Sequence, residues 1–364
     1  MLYIGLMSGT STDGVDAVLC RLRAPHSVQV LAHQALPMPS TLRAQLLALN
    51  HSGPNELHNA ALAANRLAHL YAACCLQLLK KTDYAAADIV AAGVHGQTVR
   101  HAPDVGYSWQ LNAPALLAEL TQLNVIADFR SRDIAAGGQG APLVPLFHQA
   151  VFSTTTPRVV LNLGGIANIS VLRPKQVAIG FDTGPANALM DEWIFKHHHQ
   201  PYDAAGQWAA SGQIHTGLLA QLLQEPWLAQ PPPKSTGRDL FNSAWLQQQL
   251  SHWATKPPSA VDVQATLAAF TAQTISQAIQ AYAADATDIV VCGGGAYNDY
   301  VCDLITSYTQ KTLLRSDELG LGAQCVEAAA FAWLAYAYMH NIPANHPAVT
   351  GAKEARILGA WYKA

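Results

Sequence analysis

Charge is scarce in this chain. Of 364 residues, 21 are Lys or Arg and 24 are Asp or Glu, 12% in all, against roughly 25% in typical soluble domains. With a net charge of −3 there is no basic excess to attract nucleic acid or an anionic membrane, and neither is expected as a partner. Cysteine is also sparse. The six cysteines stand at 20, 74, 75, 292, 302 and 325 without a C-x-x-C spacing, and five of them fall in predicted strands or helices, which excludes a disulfide framework and fits reduced, buried thiols. The longest apolar run, residues 328–339, is too short to cross a bilayer. No basic stretch followed by an apolar segment opens the sequence, so no signal peptide is expected and a cytoplasmic protein is. Two familiar phosphate loops are missing as well. No Gly-x4-Gly-Lys-Ser/Thr is found at the start, and no Gly-x-Gly-x-x-Gly joins a strand to a helix there.

What the chain has instead is Leu6-Met7-Ser8-Gly9-Thr10-Ser11-Thr12-Asp13-Gly14-Val15-Asp16, set between apolar runs at 2–7 and 15–22. Small hydroxyl and glycine residues between two strand-like runs predict a tight hairpin. Gly9 and Gly14 permit backbone angles that turn successive N–H groups toward an anion, and Ser8, Thr10, Ser11 and Thr12 add hydroxyls. Asp13 and Asp16 beside bare phosphate would repel it unless a divalent cation intervenes. The loop therefore predicts a metal–nucleotide complex, although the same residues also suit an ordinary turn.

Half of the residues are apolar, and the length is sufficient for two domains. Strands are predicted at 2–7, 15–22 and 28–33, a helix at 55–80, a strand at 89–94, a helix at 113–123 and a strand at 125–129. A Gly-rich crossing, Ala135 to Pro142, suits a hinge or domain boundary. The order then recurs, with strands at 158–163, 167–172 and 176–181, helices at 186–199, 216–224, 243–253 and 262–284, a strand at 289–292, a helix at 298–308, a strand at 312–314 and a helix at 323–339. Such a duplication implies two α/β halves, each with a mixed sheet, and Leu163-Gly164-Gly165-Ile166 as the counterpart of the first hairpin. Halves facing each other would floor a nucleotide cleft with the two hairpins.

Eight strings occur in order: Gly5 to Ser11 continuing to Asp16, His95-Gly96-Gln97-Thr98, Ala127-Asp128-Phe129-Arg130, Gly137 to Pro145, Asn162 to Asn168, Gly180 to Pro185, Ser235-Thr236-Gly237-Arg238 and Cys292 to Gly295. In these the sequence resembles the anhydro-N-acetylmuramic acid kinases of bacterial cell-wall recycling, within the superfamily of actin, the heat-shock ATPases and the sugar kinases. The resemblance implies an α/β fold of two duplicated actin-like (ribonuclease H-like) domains with a nucleotide cleft between them, the first formed by residues 1–130 plus 341–364 and the second by 131–340. It implies ATP and Mg2+ as cofactors, a homodimer, and a reaction in which O6 of the sugar is phosphorylated while water opens the 1,6-anhydro bridge at C1. An acetate kinase or another sugar kinase of the superfamily, or a nucleotide-driven switch or chaperone ATPase, stays open as an alternative.

Attack by water calls for a general base. Asp182, predicted just past a strand and before Thr183-Gly184-Pro185, reads equally as that base or as the cap of the following helix; the resemblance favours the base, which would also touch the sugar. Nucleotide contacts are expected from Ser8, Gly9, Thr10, Ser11, Thr12, Asp13, Gly14, Val15 and Asp16, from Asn162, Gly164 and Gly165, and from Gly293, Gly294, Gly295 and Asn298. Asp13 and Asp16 would hold the metal. His95, Gln97 and Thr98 follow a strand's C-terminal end, where open α/β sheets bind ligands, and are expected to contact the sugar. Arg130 offers a planar fork for the lactyl carboxylate or a surface ion pair. Glu327 interrupts an apolar helical run, a costly place for a carboxylate unless it is paired or faces a ligand.

Overall fold

A computed structural model describes the chain except for Thr10, Asp239 and Ala254. Two compact units are formed, one from Met1–Val151 with Cys325–Ala364 and the other from Phe152–Gln324. In the first, β1 (Leu2–Met7), β2 (Gly14–Ala24) and β3 (Ser27–Pro37) run antiparallel. Helices α1 (Ser40–Ala48) and α2 (Glu56–Lys80) lead to β4 (Ile89–Val94), parallel to β1. A separate ribbon of β5 (Gln97–Ala102) and β6 (Tyr107–Leu111) follows. Helix α3 (Pro114–Thr121) then precedes β7 (Val125–Ala127), parallel to β4, and α4 (Ser131–Ala135) and α5 (Pro145–Phe152) come next.

The second unit repeats the plan with β8 (Arg158–Leu163), β9 (Ile166–Leu172) and β10 (Ile179–Pro185), antiparallel in turn. Helices α6 (Asn187–His198), α7 (Gln207–Ala210), α8 (Thr216–Leu222), α9 (Ser243–Ser251) and α10 (Ala260–Tyr282) follow. Then β11 (Asp288–Cys292), parallel to β8, α11 (Asp299–Thr309) and β12 (Thr312–Arg315) complete the sheet. The chain returns to the first unit through α12 (Val326–Met339), α13 (Pro347–Thr350) and β13 (Ala360–Tyr362). The sheets read β13-β7-β4-β1-β2-β3 and β10-β9-β8-β11-β12. Apart from β13, both place their own strands in the order third, second, first, fourth, fifth, so the predicted duplication is a duplication of sheet topology.

The division differs from the predicted bounds at two places, each with a physical cause. Gly5 and Gly93 are register partners on β1 and β4. A Cβ on Gly5 would strike the carbonyl of Ala328, and one on Gly93 the carbonyl of Phe331. Two adjacent glycines thus let the backbone of α12 lie directly on the first sheet, and its residues Ala328 to Ala337 are buried in succession. A helix apolar all round has no face to give to water. The second difference is the Gly-rich crossing, which is no boundary. Within the first unit, Asp133 of α4 is fully buried and accepts from the Gly140 amide at 2.7 Å, the Thr350 hydroxyl at 2.6 Å and the Asn345 amide. Gln139 N–H also donates to the Thr350 carbonyl and Lys353 N–H to that of Ala136. One carboxylate ties residues 137–140 to the C-terminal segment, and the division falls at 151/152 instead.

Candidate active site

The first candidate loop follows β1. Ser8 is 1% exposed and Thr12 is 2% exposed, and Thr12 N–H donates to the Gly9 carbonyl at 3.1 Å. Thr12 has φ 52°, a left-handed conformation that costs a β-branched residue on the order of 1–3 kcal/mol, of the kind that clusters at ligand clamps. The Ser11 hydroxyl donates to Asp13 at 2.7 Å. Gly14 and Val15 open β2, where Gly14 is the register partner of Pro37 and Val15 is buried in the core. The Asp16 carboxylate has a partner that was not expected, lying 2.7 Å from His33 Nε2 on β3. That bond comes first, and the Cys325 thiol second, in raising His33 to about 10. Thr10 lies outside the described residues.

His95 and Gln97, read as sugar contacts, are spent on this loop. The Gln97 amide accepts from the Ser8 hydroxyl and donates to the Gly9 carbonyl at 3.1 Å. His95 Nδ1 is 3.0 Å from the Ser8 carbonyl, which can only accept, so Nδ1 carries the proton and Nε2 accepts from Arg130 Nη2 at 2.8 Å. Burial first, and the Arg130 charge second, lower His95 to about 3, so the ring is neutral. Arg130 Nη1 donates to the Gly140 carbonyl at 2.7 Å. The guanidinium is thereby held by the His95 ring and the Gly140 carbonyl. Thr98 Oγ1 accepts from Gln110 across the β5–β6 ribbon at 3.1 Å. Glu327 is half-buried in the first turn of α12, where a carboxylate complements the helix dipole.

A pH dependence of stability follows. His95 and His148 are both lowered to about 3 by burial from an ordinary 6.5. Their depressed values mean that the unfolded chain binds more protons between those limits, so stability is full above 6.5 and falls as the pH drops through that window. For His33 the sign is reversed: its contribution is full below 6.5 and is lost as the pH rises through about 10. Unfolding free energies measured from pH 4.5 to 8 are expected to peak near the ordinary histidine value, with an acid slope approaching about 2.7 kcal/mol per pH unit for two protons. A flat acid limb would contradict the buried neutral assignment.

In the second unit, the β8–β9 hairpin directs its Gly164 and Gly165 carbonyls at the amides of residues 186–188 opening α6. Asn162 pairs with Asn168 across it. Gly293 (φ 82°) and Gly295 pack so tightly on the β8 end that a Cβ would meet Asn162 or Leu163, whereas Gly294 faces open space. Of the three glycines, Gly294 is the one with room beside its Cα. Asn298 caps α11 by accepting from Val301 N–H at 3.1 Å.

Asp182 lies within β10, not past it. The predicted strand stops at 181, whereas β10 runs on to Pro185 as an edge strand, where a register shift between Asp182 and Gly184 and a proline are tolerated. A bulge re-aims a side chain. Asp182 Oδ2 accepts from the Thr236 N–H at 2.9 Å, and the Asp182 N–H donates to the Lys234 carbonyl at 3.1 Å. The helix-cap alternative falls, since α6 begins after Ala186 without a side-chain cap. Its partner Thr236 belongs to the Ser235 to Arg238 string, whose pairing with Asp182 spans 54 residues and left no local signal.

The repeated sheet order and the glycine-bearing strand connections define the class: the actin-like ATPase and sugar-kinase fold. A solved structure of (R)-2-hydroxyglutaryl-CoA dehydratase component A from Acidaminococcus fermentans shares that fold at TM-score 0.50 and 9% identity, over 92% of this chain and 96% of that one. The family model described as anhydro-N-acetylmuramic acid kinase matches residues 1–364. An anhydro-N-acetylmuramic acid kinase of Bordetella petrii is 57% identical over 364 residues, covering all of this chain and 96% of the relative. One from Variovorax paradoxus is 51% identical over 374 residues, covering all of this chain and 99% of the relative. The chain belongs to the anhydro-N-acetylmuramic acid kinase family.

Proposed function

We propose that this kinase transfers the terminal phosphoryl group of ATP to O6 of 1,6-anhydro-N-acetylmuramic acid while Asp182 takes a proton from the water that opens the bridge at C1, giving N-acetylmuramic acid 6-phosphate and ADP. The observation that carries the reading is the family match over the full chain, beside an aspartate held at a strand bulge by a backbone donor. Opening the bridge releases the oxygen that must accept phosphate, so base and acceptor chemistry are coupled in one event. General-base assistance of this kind contributes on the order of 10²–10⁴ in rate.

The bonds of the other residues support the following roles. His95 and Gln97 hold the Ser8–Gly9 backbone and Arg130, so they position the phosphate loop and the guanidinium that meets the lactyl carboxylate. Ser8, Gly9, Ser11, Thr12 and Gly14 of the first unit serve the nucleotide phosphates. In the second unit Gly164, Gly165 and Gly294 serve the nucleotide, with Asn162, Gly293, Gly295 and Asn298 shaping their surroundings. Glu327 is kept as a sugar contact.

Among the described residues no group of three or more His, Cys, Asp and Glu side chains converges to cage a metal. Mg2+ is commonly held by one or two carboxylates together with substrate phosphates, and exposed Asp13 fits that requirement. Asp16, whose Oδ1 meets His33 Nε2, has a second carboxylate oxygen for the same role. When bound, Mg2+ neutralises charge that builds on the phosphates. The homodimer is retained as part of the proposal.

Turnover in isotopically labelled water tests the reaction. ATP consumption is expected to be low without the anhydro-sugar and to rise steeply with it, with solvent oxygen appearing at C1 and none in the phosphoryl group. Solvent oxygen in inorganic phosphate, or turnover raised by unfolded peptide and indifferent to the sugar, would overturn the reading.

A further inference from the structure

The loop that holds Asp182 is itself held at both ends. At its start, Lys234 Nζ donates to the Leu228 carbonyl at 2.8 Å and lies 4.6 Å above the Trp227 ring. At its end, Arg238 Nη1 donates to Glu192 Oε1 of α6 at 2.6 Å, and the Ser243 hydroxyl donates to Glu192 Oε2 at 2.8 Å. Between these anchors the loop makes two bonds to one residue: the Lys234 carbonyl accepts from the Asp182 N–H, and the Thr236 N–H donates to Asp182 Oδ2. β10 is the outer strand of its sheet, so among the described residues no further strand fixes Asp182 from that side. The loop takes the place of a neighbouring strand.

Arg238 and Glu192 are only partly exposed, their side chains retaining 24% and 29% of their accessible area. An ion pair so placed contributes little to global stability and much to local geometry. Glu192 accepts from two different segments, the loop and the start of α9, so it fixes the span on both sides of residue 238 against one helix.

We propose that Arg238, through Glu192, is a positioning residue for the general base: the pair holds the Lys234–Arg238 loop in the register that delivers the Thr236 N–H to the Asp182 carboxylate. The proposal rests on the reading of Asp182 as that base. Misplacement of a reacting group by about 1 Å can cost on the order of 10²-fold in rate.

The test is a steady-state comparison of the full-length kinase carrying Arg238→Gln, Glu192→Gln or Arg238→Lys, each alone and combined with Asp182→Asn. Arg238→Gln and Glu192→Gln are each expected to lower kcat by roughly 10-fold to 10²-fold, with the KM for ATP within twofold of the parent and the folded fraction unchanged by circular dichroism. Arg238→Lys keeps a cation opposite Glu192 and is expected to recover most of kcat. In the Asp182→Asn background none of the three should lower kcat further, because the group they position is gone. If Asp182→Asn is inactive but Arg238→Gln and Glu192→Gln keep full kcat, or their effects multiply with that of Asp182→Asn, the positioning role is overturned alone. If Asp182→Asn keeps full kcat, the base assignment fails first and takes this proposal with it. Glu192→Gln preserves side-chain length, so it answers the question should Arg238→Gln not fold.

Discussion

Asp182→Asn is expected to lower kcat by on the order of 10²–10⁴ while leaving the affinity for a non-hydrolysable ATP analogue unchanged. The size follows from what the substitution removes. Asparagine keeps an oxygen that accepts from the Thr236 N–H, now 2.9 Å from Oδ2, and keeps the backbone bond from residue 182 to the Lys234 carbonyl. These two bonds are therefore kept while the basicity and the negative charge are lost. Water is a weak nucleophile near neutrality, and without an acceptor for its proton the attack at C1 must proceed through a far less favourable state. The nucleotide contacts proposed in the first unit are made by other residues, which is why binding and turnover should separate. Lys234 supplies a second, independent readout. Burial lowers its ammonium pKa, and the Asp182 charge opposes that lowering. In Asp182→Asn the opposing charge is absent, so Lys234 should lose its proton more easily and become more reactive toward amine-directed reagents. A variant with kcat within threefold of the parent would remove Asp182 from the proposed role, whatever Lys234 does.

Much of the fold could be read from the residues because its signals are local. Apolar runs with β-branched residues mark β1, β4, β8 and β11, and the period of α2 places Leu67, Tyr71, Cys74 and Leu78 in the core. Repetition of those signals gave the duplicated sheet. The β5–β6 ribbon escaped because Gln97-Thr98-Val99-Arg100-His101 lacks a continuous apolar face, and it closes through a turn ending at Gly106 with φ 90°. α1 escaped because its apolar stripe is weak, with only Leu42 and Leu46 buried. The site was legible in outline and not in its bonding. Sequence placed His95, Gln97 and Arg130 near a ligand, but their bonds to Ser8, Gly9 and Gly140 span 87, 88 and 10 residues, and no spacing rule announces such pairings. The same holds for His33 on Asp16. A carboxylate in a phosphate loop reads as a metal ligand, and nothing in its spacing announces that a histidine from the neighbouring strand also meets it. Glycine gave the opposite lesson: Gly5, Gly93, Gly293 and Gly295 all sit where a Cβ would meet another part of the chain, so their value is close packing, and only in three dimensions does Gly294 separate from its neighbours.

Asp133→Ala should cost the first unit about 3–5 kcal/mol of stability. The carboxylate is fully buried and accepts from the Gly140 amide, the Thr350 hydroxyl and the Asn345 amide. Alanine would leave three donors facing one another where water is excluded, and each buried donor without a partner costs about 1–3 kcal/mol. There is no easy relaxation. Ala352 and the Asp133 side chain already crowd Gly138, and the Lys353 and Gln139 amides pin the same segments to one another. Asp133→Asn is the sharper comparison: one oxygen can still accept from Asn345 and Thr350, but an NH2 group would then face the Gly140 N–H, so its cost should fall between parent and alanine. The damage should also reach function along a stated route. Gly140 gives its carbonyl to Arg130 Nη1, so a displaced Gly140 loosens the guanidinium, and the KM for the anhydro-sugar should rise more than the KM for ATP. Chemical denaturation of the two variants, followed by steady-state kinetics on whatever remains folded, decides it. A cost below about 1 kcal/mol for alanine, the range of an ordinary surface substitution, would mean that the C-terminal segment does not depend on this carboxylate for its attachment to the glycine-rich crossing.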